Sequence, residues 1–452
     1  WLFYVPYTIL IGVTVILGVL SVPYIRQYLV SLPILKLAQK FKIFPKVSDT
    51  ERAALEAGTV WMDKELFSGN PCLKTLFNQT VQSYSLVEQA FLEGPVTTLC
   101  EMIDDWDIQK TKQIPDDVWN YVKEQKFLGM IVPTEYGGLG MSAIGQSAVI
   151  EKIASVSPAL AITIMVPNSL GPAELLMHYG TKQQKDRYLS KLATGEEMPC
   201  FGLTEPTAGS DAGGLSSQGV VFKDVDGSLK IRFNWDKRWI TLSGISTLIG
   251  LAFLLKDPEQ HLGGPKEYGI TCALIPTNTP GIDVSKRHDP LGVPFVNCPT
   301  TGTDVVAPID CVIGESSGYG NGWQMLMDCL SAGRGISLPS LSVGGAQMMT
   351  RAASAFSVIR QQFGMSIGDF EGVEEPLARI VGKTMILKAA RDYTCAAIDQ
   401  GEKPSVISAI LKLHSTETFR EIVTDTMDLM GGAGITQGPR NVTAAAFKAA
   451  PI

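Results

Sequence analysis

The chain has 452 residues, too many for one ordinary hydrophobic core, so two or three domains with additions are expected. Hydrophobic residues make up 45% and charged residues 18%, the balance of a globular chain that leans apolar. A net charge of −7 and the lack of a dense basic stripe argue against a nucleic-acid partner.

Residues 1–24, "WLFYVPYTILIGVTVILGVLSVPY", carry no charge. About 20 apolar residues span a bilayer, so a transmembrane segment is expected here, with a buried helix as the alternative. A secretory signal would need a basic leading region and a small-residue cleavage site, and neither is visible. Arg26, Lys36, Lys40, Lys42 and Lys46 precede the first acid, Asp49. That bias places this side of the membrane, and with it the rest of the chain, in the cytoplasm. The chain opens on Trp rather than Met, and its start is expected to lie upstream. Residues 25–84 read as an amphipathic linker region.

Over 85–196 the texture is helical. "VWNYVKEQKFLGMIVP" has apolar residues at three- and four-residue steps, Pro133 opens the Gly-rich break "PTEYGGLG", and "YGTKQQKDRYLSKLATGE" reads as an exposed amphipathic helix stopped by Gly195. Over 197–320 the period changes to two. Leu229, Ile231, Phe233 and Trp235 alternate with Lys230, Arg232 and Asn234, and Asp226-Gly227 signals a hairpin turn just before them. "STLIGLAFLL" and "GITCALIP" read as further strands, giving a β domain of short, antiparallel-looking strands. Over 321–452 helices return. Leu377, Val381, Met385, Ala389 and Tyr393 form one apolar stripe and Ile422, Val423, Met427 and Met430 another, which suggests a helical bundle.

The eight cysteines occur singly, with no C-x-x-C pair, and the four histidines form no close pair, so neither a zinc ribbon nor a metal site is expected. "GESSG" around Ser316 matches G-x-S-x-G, but a nucleophile elbow needs a strand before it, a helix after it, and a later acid and His. The one downstream His is His414, inside a helical pattern, so Ser316 reads as part of a surface turn. "GYGNGW" and "GGAGITQG" are Gly-rich without the G-x-G-x-x-G spacing of a dinucleotide fold. "CFGLTEPTAGSDAGGL" (200–215) is more particular. Its backbone N–H groups can hold a pyrophosphate, and Thr204 and Ser210 add hydroxyls. About 30 residues later "RWITLSG" offers the flat face of Trp239 and the hydroxyl of Thr241. An aromatic wall, hydroxyls and a phosphate cradle suit a planar nucleotide cofactor.

"PTEYGGLG", "YGTKQQKDRYLSKLATGE", "LTEPTAGSD", "WIT", "RQQFG" and "DLMGGAGI", in this order and spacing, resemble the acyl-CoA dehydrogenases over residues 85–452. The apolar N-terminus, "ERAALEAGTVWMDKELFSGNP" and "GEKPSVISAILKLH" further resemble the large bacterial membrane-associated members of fatty-acid β-oxidation. The resemblance implies an α+β, mostly α fold: an N-terminal helical domain, a middle β domain and a C-terminal four-helix bundle. It implies FAD as cofactor. Phe201, Leu203 and Thr204 would touch the flavin ring, and Ser210 would sit near the pyrophosphate and the CoA arm. Trp239, Ile240 and Thr241 would pack on the flavin's other face. Arg360 and Phe363 would reach a neighbouring subunit's FAD, and Asp428, Leu429, Gly431 and Gly432 would contact FAD across the dimer. Arg334 matches the family Arg beside bound acyl-CoA.

The implied reaction removes an α-proton next to a thioester while hydride leaves the β-carbon, giving a trans-2-enoyl-CoA. It needs a positioned carboxylate base in a dry pocket. The family base is a Glu in an E-G motif about 15 to 25 residues beyond the GGxG, which places it just past Ile452. The alternative family position holds Gly333, beside Arg334, and Glu205 in the cofactor loop is not the family base. Two departures stand out: Leu242 where the family often has Asn, and Glu371 where some members have Gln. The partners implied are fatty acyl-CoA, an electron-transfer flavoprotein or similar acceptor, a membrane and further copies of the chain as a dimer or tetramer. An acyl-CoA oxidase on the same fold and a catalytically inactive flavoprotein scaffold remain open alternatives.

Overall fold

The computed structural model describes residues 7–43, 52, 58–69, 71–169, 171–441 and 443–451. The chain divides into two compact units, residues 1–52 and 53–452.

In the first unit the expected uninterrupted segment over residues 1–24 does not form. Residues 1–6 lie outside the described residues. Tyr7–Ser21 is a helix of 15 residues, about 22 Å long at ~1.5 Å per residue, against a hydrocarbon core of about 30 Å. Pro23 ends it, because a proline pushes the preceding residue out of the helical region, and Val22 sits at φ −75°, ψ 112°. A short π-helical stretch, Gln27–Ser31, leads into Leu32–Lys40. Among the described residues no single helix is long and apolar enough to cross a membrane. Tyr7–Ser21 and Pro23–Lys40 pass that test together and are bent by 94°. None of the residues in these helices is buried within the chain.

The second unit is a helical domain, a sheet and a second helical domain in chain order. The first helices are closed by local chemistry. Ser85 and Glu88 form a reciprocal capping box on Leu86–Glu93, and Glu88 Oε1 also accepts from the backbone and hydroxyl of Ser142, the cap of Ala143–Ala154. Asp399 accepts from the next two amides, Ala143 and Ile144, at 2.6 and 3.1 Å, tying the two helical domains together. Asp116–Glu124 stops short of the longer helix expected there, and Phe127–Gly129 continues as a 3-10 turn. Lys182–Thr194 ends on Gly195 at φ +72°, as its sequence implies.

The sheet has seven strands: β1 Pro199–Gly202, β2 Gln218–Lys223, β3 Leu229–Thr241, β4 Leu248–Lys256, β5 Glu267–Pro276, β6 Ile282–Asp283 and β7 Asn297–Pro308. Their order is β1-β4-β2-β3-β7-β6, with β5 on β4. The antiparallel expectation is only partly met, because β4 runs parallel to both β1 and β2. Nor are the strands uniformly short: β3 has 13 residues and β7 has 12. The turn around Asp226 and Gly227 is a five-residue loop between Lys223 and Leu229, with Gly227 at φ +84°.

Three long helices follow, Gly322–Ile359, Glu371–Asp399 and Ser405–Met430. The fourth expected bundle member is represented among the described residues by the seven-residue helix Thr443–Ala449. Of the expected stripe on the second long helix, Val381, Met385 and Ala389 face outward and Leu377 and Tyr393 are half-buried. Met385 is 67% exposed, while Ile380, Thr384, Leu387, Arg391 and Thr394 are buried. Steps of four overshoot a 3.6-residue turn by about 40° each, so five such positions drift off one face; the buried set alternates steps of four and three. On the third helix Ile422 and Val423 are buried as expected.

Candidate functional site: a cavity between the sheet and the helices

The stretch 200–215 leaves β1 and returns to β2. Its Glu205 is 4% exposed and meets Lys237 of β3, which is 0% exposed, at 2.7 Å. Lys237 also donates to the Leu203 carbonyl at 3.1 Å. Glu205 in turn accepts from the Ser216 amide and hydroxyl and from the Ser217 amide, all within 3.0 Å. Burial opposes the charge on Glu205, but these donors outweigh it and hold the carboxyl well below its usual range. Burial pulls Lys237 down, and Glu205 offsets part of that. The Arg238 amide adds a bond to the Thr204 carbonyl. Loop and strand are therefore stapled on both sides of the residues expected to meet the cofactor. Glu205 is a structural anchor with no open face toward a substrate.

Lys237 was not singled out from the sequence, although its position offered a signal. It continues the inward register of Ile231, Phe233 and Trp235 along β3. Just beyond it the register with β7 shifts between Lys237 and Ile240. Trp239 sits in this bulge at φ +62°, with its ring 60% exposed and 4.4 Å from the His288 ring. His288 Nδ1 pairs with Asn297 Oδ1 at 2.8 Å, and the Asn297 amide donates to Thr241 Oγ at 3.2 Å. His288 and Asn297 thus brace Trp239 and Thr241, two of the three expected cofactor residues of "WIT"; nothing in their own sequence context marks them. Leu242 follows at φ +68° and is fully buried. A left-handed residue is where Asn is tolerated best, which gives the family preference a physical reason and makes Leu242 the departure.

These residues enclose a cavity of about 200 Å³. Phe201, Leu203 and Thr204 with Trp239, Ile240 and Thr241 line its sheet side together, whereas the resemblance set the two groups on opposite faces of a flavin. Val166, Ser169, Gly171 and Leu175 and, from the Gly322–Ile359 helix, Leu326 and Cys329 form the other side. Gly250 on β4 lets the Phe201 ring lie flat, since a Cβ there would come within 2.5 Å of it. None of the described lining residues carries a carboxylate. Gly333 borders the helical wall, where a Cβ would stand 3.3 Å from Ser169 Cβ.

The other expected site residues are not brought to this cavity. Ser210 and Arg334 are exposed and do not line it. Arg360 ends the Gly322–Ile359 helix, and Phe363, 95% exposed, sits at φ +55° in the tight turn between Gln361–Gln362 and Met365–Ser366. Asp428, Gly431 and Gly432 are exposed and Leu429 half-buried at the far end of Ser405–Met430. Glu371 is exposed at the start of its helix. Ser316 is exposed on a 3-10 turn, Glu315–Gly318, without the strand-turn-helix of a nucleophile elbow.

Three family models match in sequence: the acyl-CoA dehydrogenase N-terminal domain over 90–196, middle domain over 200–305 and C-terminal domain over 320–451. The mitochondrial isobutyryl-CoA dehydrogenase of Dictyostelium discoideum is 32% identical over 336 residues, 73% of this chain and 75% of that protein. The probable acyl-CoA dehydrogenase FadE10 of Mycobacterium tuberculosis is 29% identical over 394 residues, 86% of this chain. This chain spans 58% of the length of that relative. The butyryl-CoA dehydrogenase structure from Megasphaera elsdenii superimposes with a TM-score of 0.73 at 22% identity, over 82% of this chain and 94% of that one. The three matched domains follow the helical, sheet and helical parts of the fold in chain order. The chain belongs to the acyl-CoA dehydrogenase family.

Proposed function

We propose that the protein is a FAD-dependent acyl-CoA dehydrogenase that converts fatty acyl-CoA to trans-2-enoyl-CoA. The observation that carries this reading is the cavity's two unlike walls. The sheet side, Phe201, Leu203, Thr204, Trp239, Ile240 and Thr241, suits a flat ring with polar edges; the helical side is the apolar surface an acyl chain needs. When bound, FAD would accept the hydride leaving the acyl β-carbon. The chain's own residues supply binding, alignment and exclusion of water. Thr204 and Thr241 offer hydroxyls to the ring edge, the Glu205–Lys237 pair fixes the loop, and Val166, Leu175 and Leu326 keep the α-carbon in an apolar setting. The reaction also needs a carboxylate to take the α-proton, and none of the described lining residues supplies one.

We further propose that electrons pass to an electron-transfer flavoprotein or similar acceptor. Arg360, Phe363 and the segment Asp428–Gly432 at the end of the Ser405–Met430 helix would complete the cofactor site of a second copy. Attachment to the inner membrane through the apolar helices of residues 7–40, which bury nothing within the chain, would put the catalytic unit on the cytoplasmic side. Purified protein titrated with saturated acyl-CoA tests the reading: bound flavin should change its absorption on adding ligand and should not on adding free CoA.

A further inference from the structure

Glu174 is the least explained buried group of the second unit. It lies on the Pro172–Tyr179 helix, is 8% exposed, and its Oε2 has no hydrogen-bond partner. Burial raises its pKa well above the ordinary carboxylate value, which favours the protonated form, a donor as well as an acceptor. A buried polar atom left unpaired costs stability, so its partner is to be sought in what the cavity beside it holds.

That cavity is a second one, of about 250 Å³, lined by Glu174, His178, Tyr179, Asp328 and the Gly401–Pro404 turn. His178 and Lys403 are exposed at its rim. Tyr179 donates to Asp328, so that carboxylate is engaged. Consecutive residues of the same two helices serve the two cavities: Leu175 and Cys329 line the first, Glu174 and Asp328 the second.

We propose that the two cavities form one acyl channel and that Glu174 is its specificity-determining residue, donating a hydrogen bond to a hydroxyl or keto oxygen on the distal part of the acyl chain. The proposal rests on the acyl-CoA reading above. A plain alkyl chain would leave the Glu174 proton unpaired; an oxygen at the right depth would satisfy it, and a site built around such a group discriminates against ligands that lack it.

The test uses the full chain loaded with FAD. Saturated acyl-CoA and a panel of equal-length analogues carrying one hydroxyl or keto oxygen along the distal half are titrated against the flavin absorption to give Kd values. The best oxygenated ligand should bind at least about tenfold tighter, the worth of one hydrogen bond to a group otherwise unpaired. Glu174→Leu should bring that ratio to about one, and Glu174→Gln, which keeps a donor, should retain a preference. A Tm for Glu174→Leu at or above that of the unchanged protein shows that the fold is intact. Equal Kd values across the panel, or a ratio that survives in Glu174→Leu, overturn the proposal while leaving the acyl-CoA reading standing. If no acyl-CoA perturbs the flavin, the acyl-CoA reading itself fails and this proposal with it.

Discussion

Lys237 and Glu205, 32 residues apart in sequence, meet at 2.7 Å with side chains 0% and 1% exposed. Both charges are removed from water, so their attraction and the three further donors on Glu205 must offset two desolvation costs. Replacing one member leaves the other charged, buried and alone. Lys237→Met should therefore destabilise the protein by about 3–5 kcal/mol and lower its flavin content, because Leu203 and Glu205 lose their anchor. Urea unfolding and flavin absorbance per chain measure the two effects.

The same pair sets a pH response. Glu205 has its folded pKa depressed to about 2, so the stability it contributes is present above the unfolded-state value, about 4.3, and is lost as pH falls through the folded one. Unfolding free energy measured between about pH 5 and pH 2 should fall more steeply in the unchanged protein than in a Glu205→Gln variant.

Gly250 faces Phe201, and a Cβ there would also stand 3.2 Å from Pro172. Gly250→Ala should displace the Phe201 ring from the cavity wall, cost about 1–3 kcal/mol and weaken flavin binding. Gly382 is the control: it lies in the middle of a helix, and a Cβ there would have nothing within 4 Å. Gly382→Ala should stabilise by about 0.8–1.0 kcal/mol and leave flavin binding unchanged. Thermal or urea unfolding of the two variants in parallel checks both signs.

Much of this site was legible in the sequence because it lies on one regular strand and one loop. The alternation of β3 fixes which residues point inward, and the cofactor stretch and "WIT" line the cavity together. What was not legible depends on contacts between distant segments. His288 reaches Trp239 from a loop, and Val166, Ser169 and Leu175 form a wall only because their helices pack against the sheet. The apolar run at the N-terminus had the composition of a span, but one proline decided its geometry. The stripe on Glu371–Asp399 misled for a geometric reason, since regular steps of four do not stay on one helix face.

Residues 1–52 form a unit of their own. Deleting them should move the protein from the membrane pellet to the supernatant while flavin content per chain stays the same, because every cavity-lining residue lies at or beyond Val166. Fractionation and absorbance of both forms read this out; a deleted form that still pellets places the attachment elsewhere.

The central claim is that the cavity between Thr204, Trp239 and Cys329 holds a flavin next to an acyl thioester. The most direct measurement is the visible spectrum of the purified full-length protein before and after adding saturated acyl-CoA. The account predicts a bound flavin band that shifts or bleaches with acyl-CoA, and a much weaker response in Gly250→Ala. A folded protein with no flavin after reconstitution with FAD, or one whose flavin ignores every acyl-CoA offered, would contradict it.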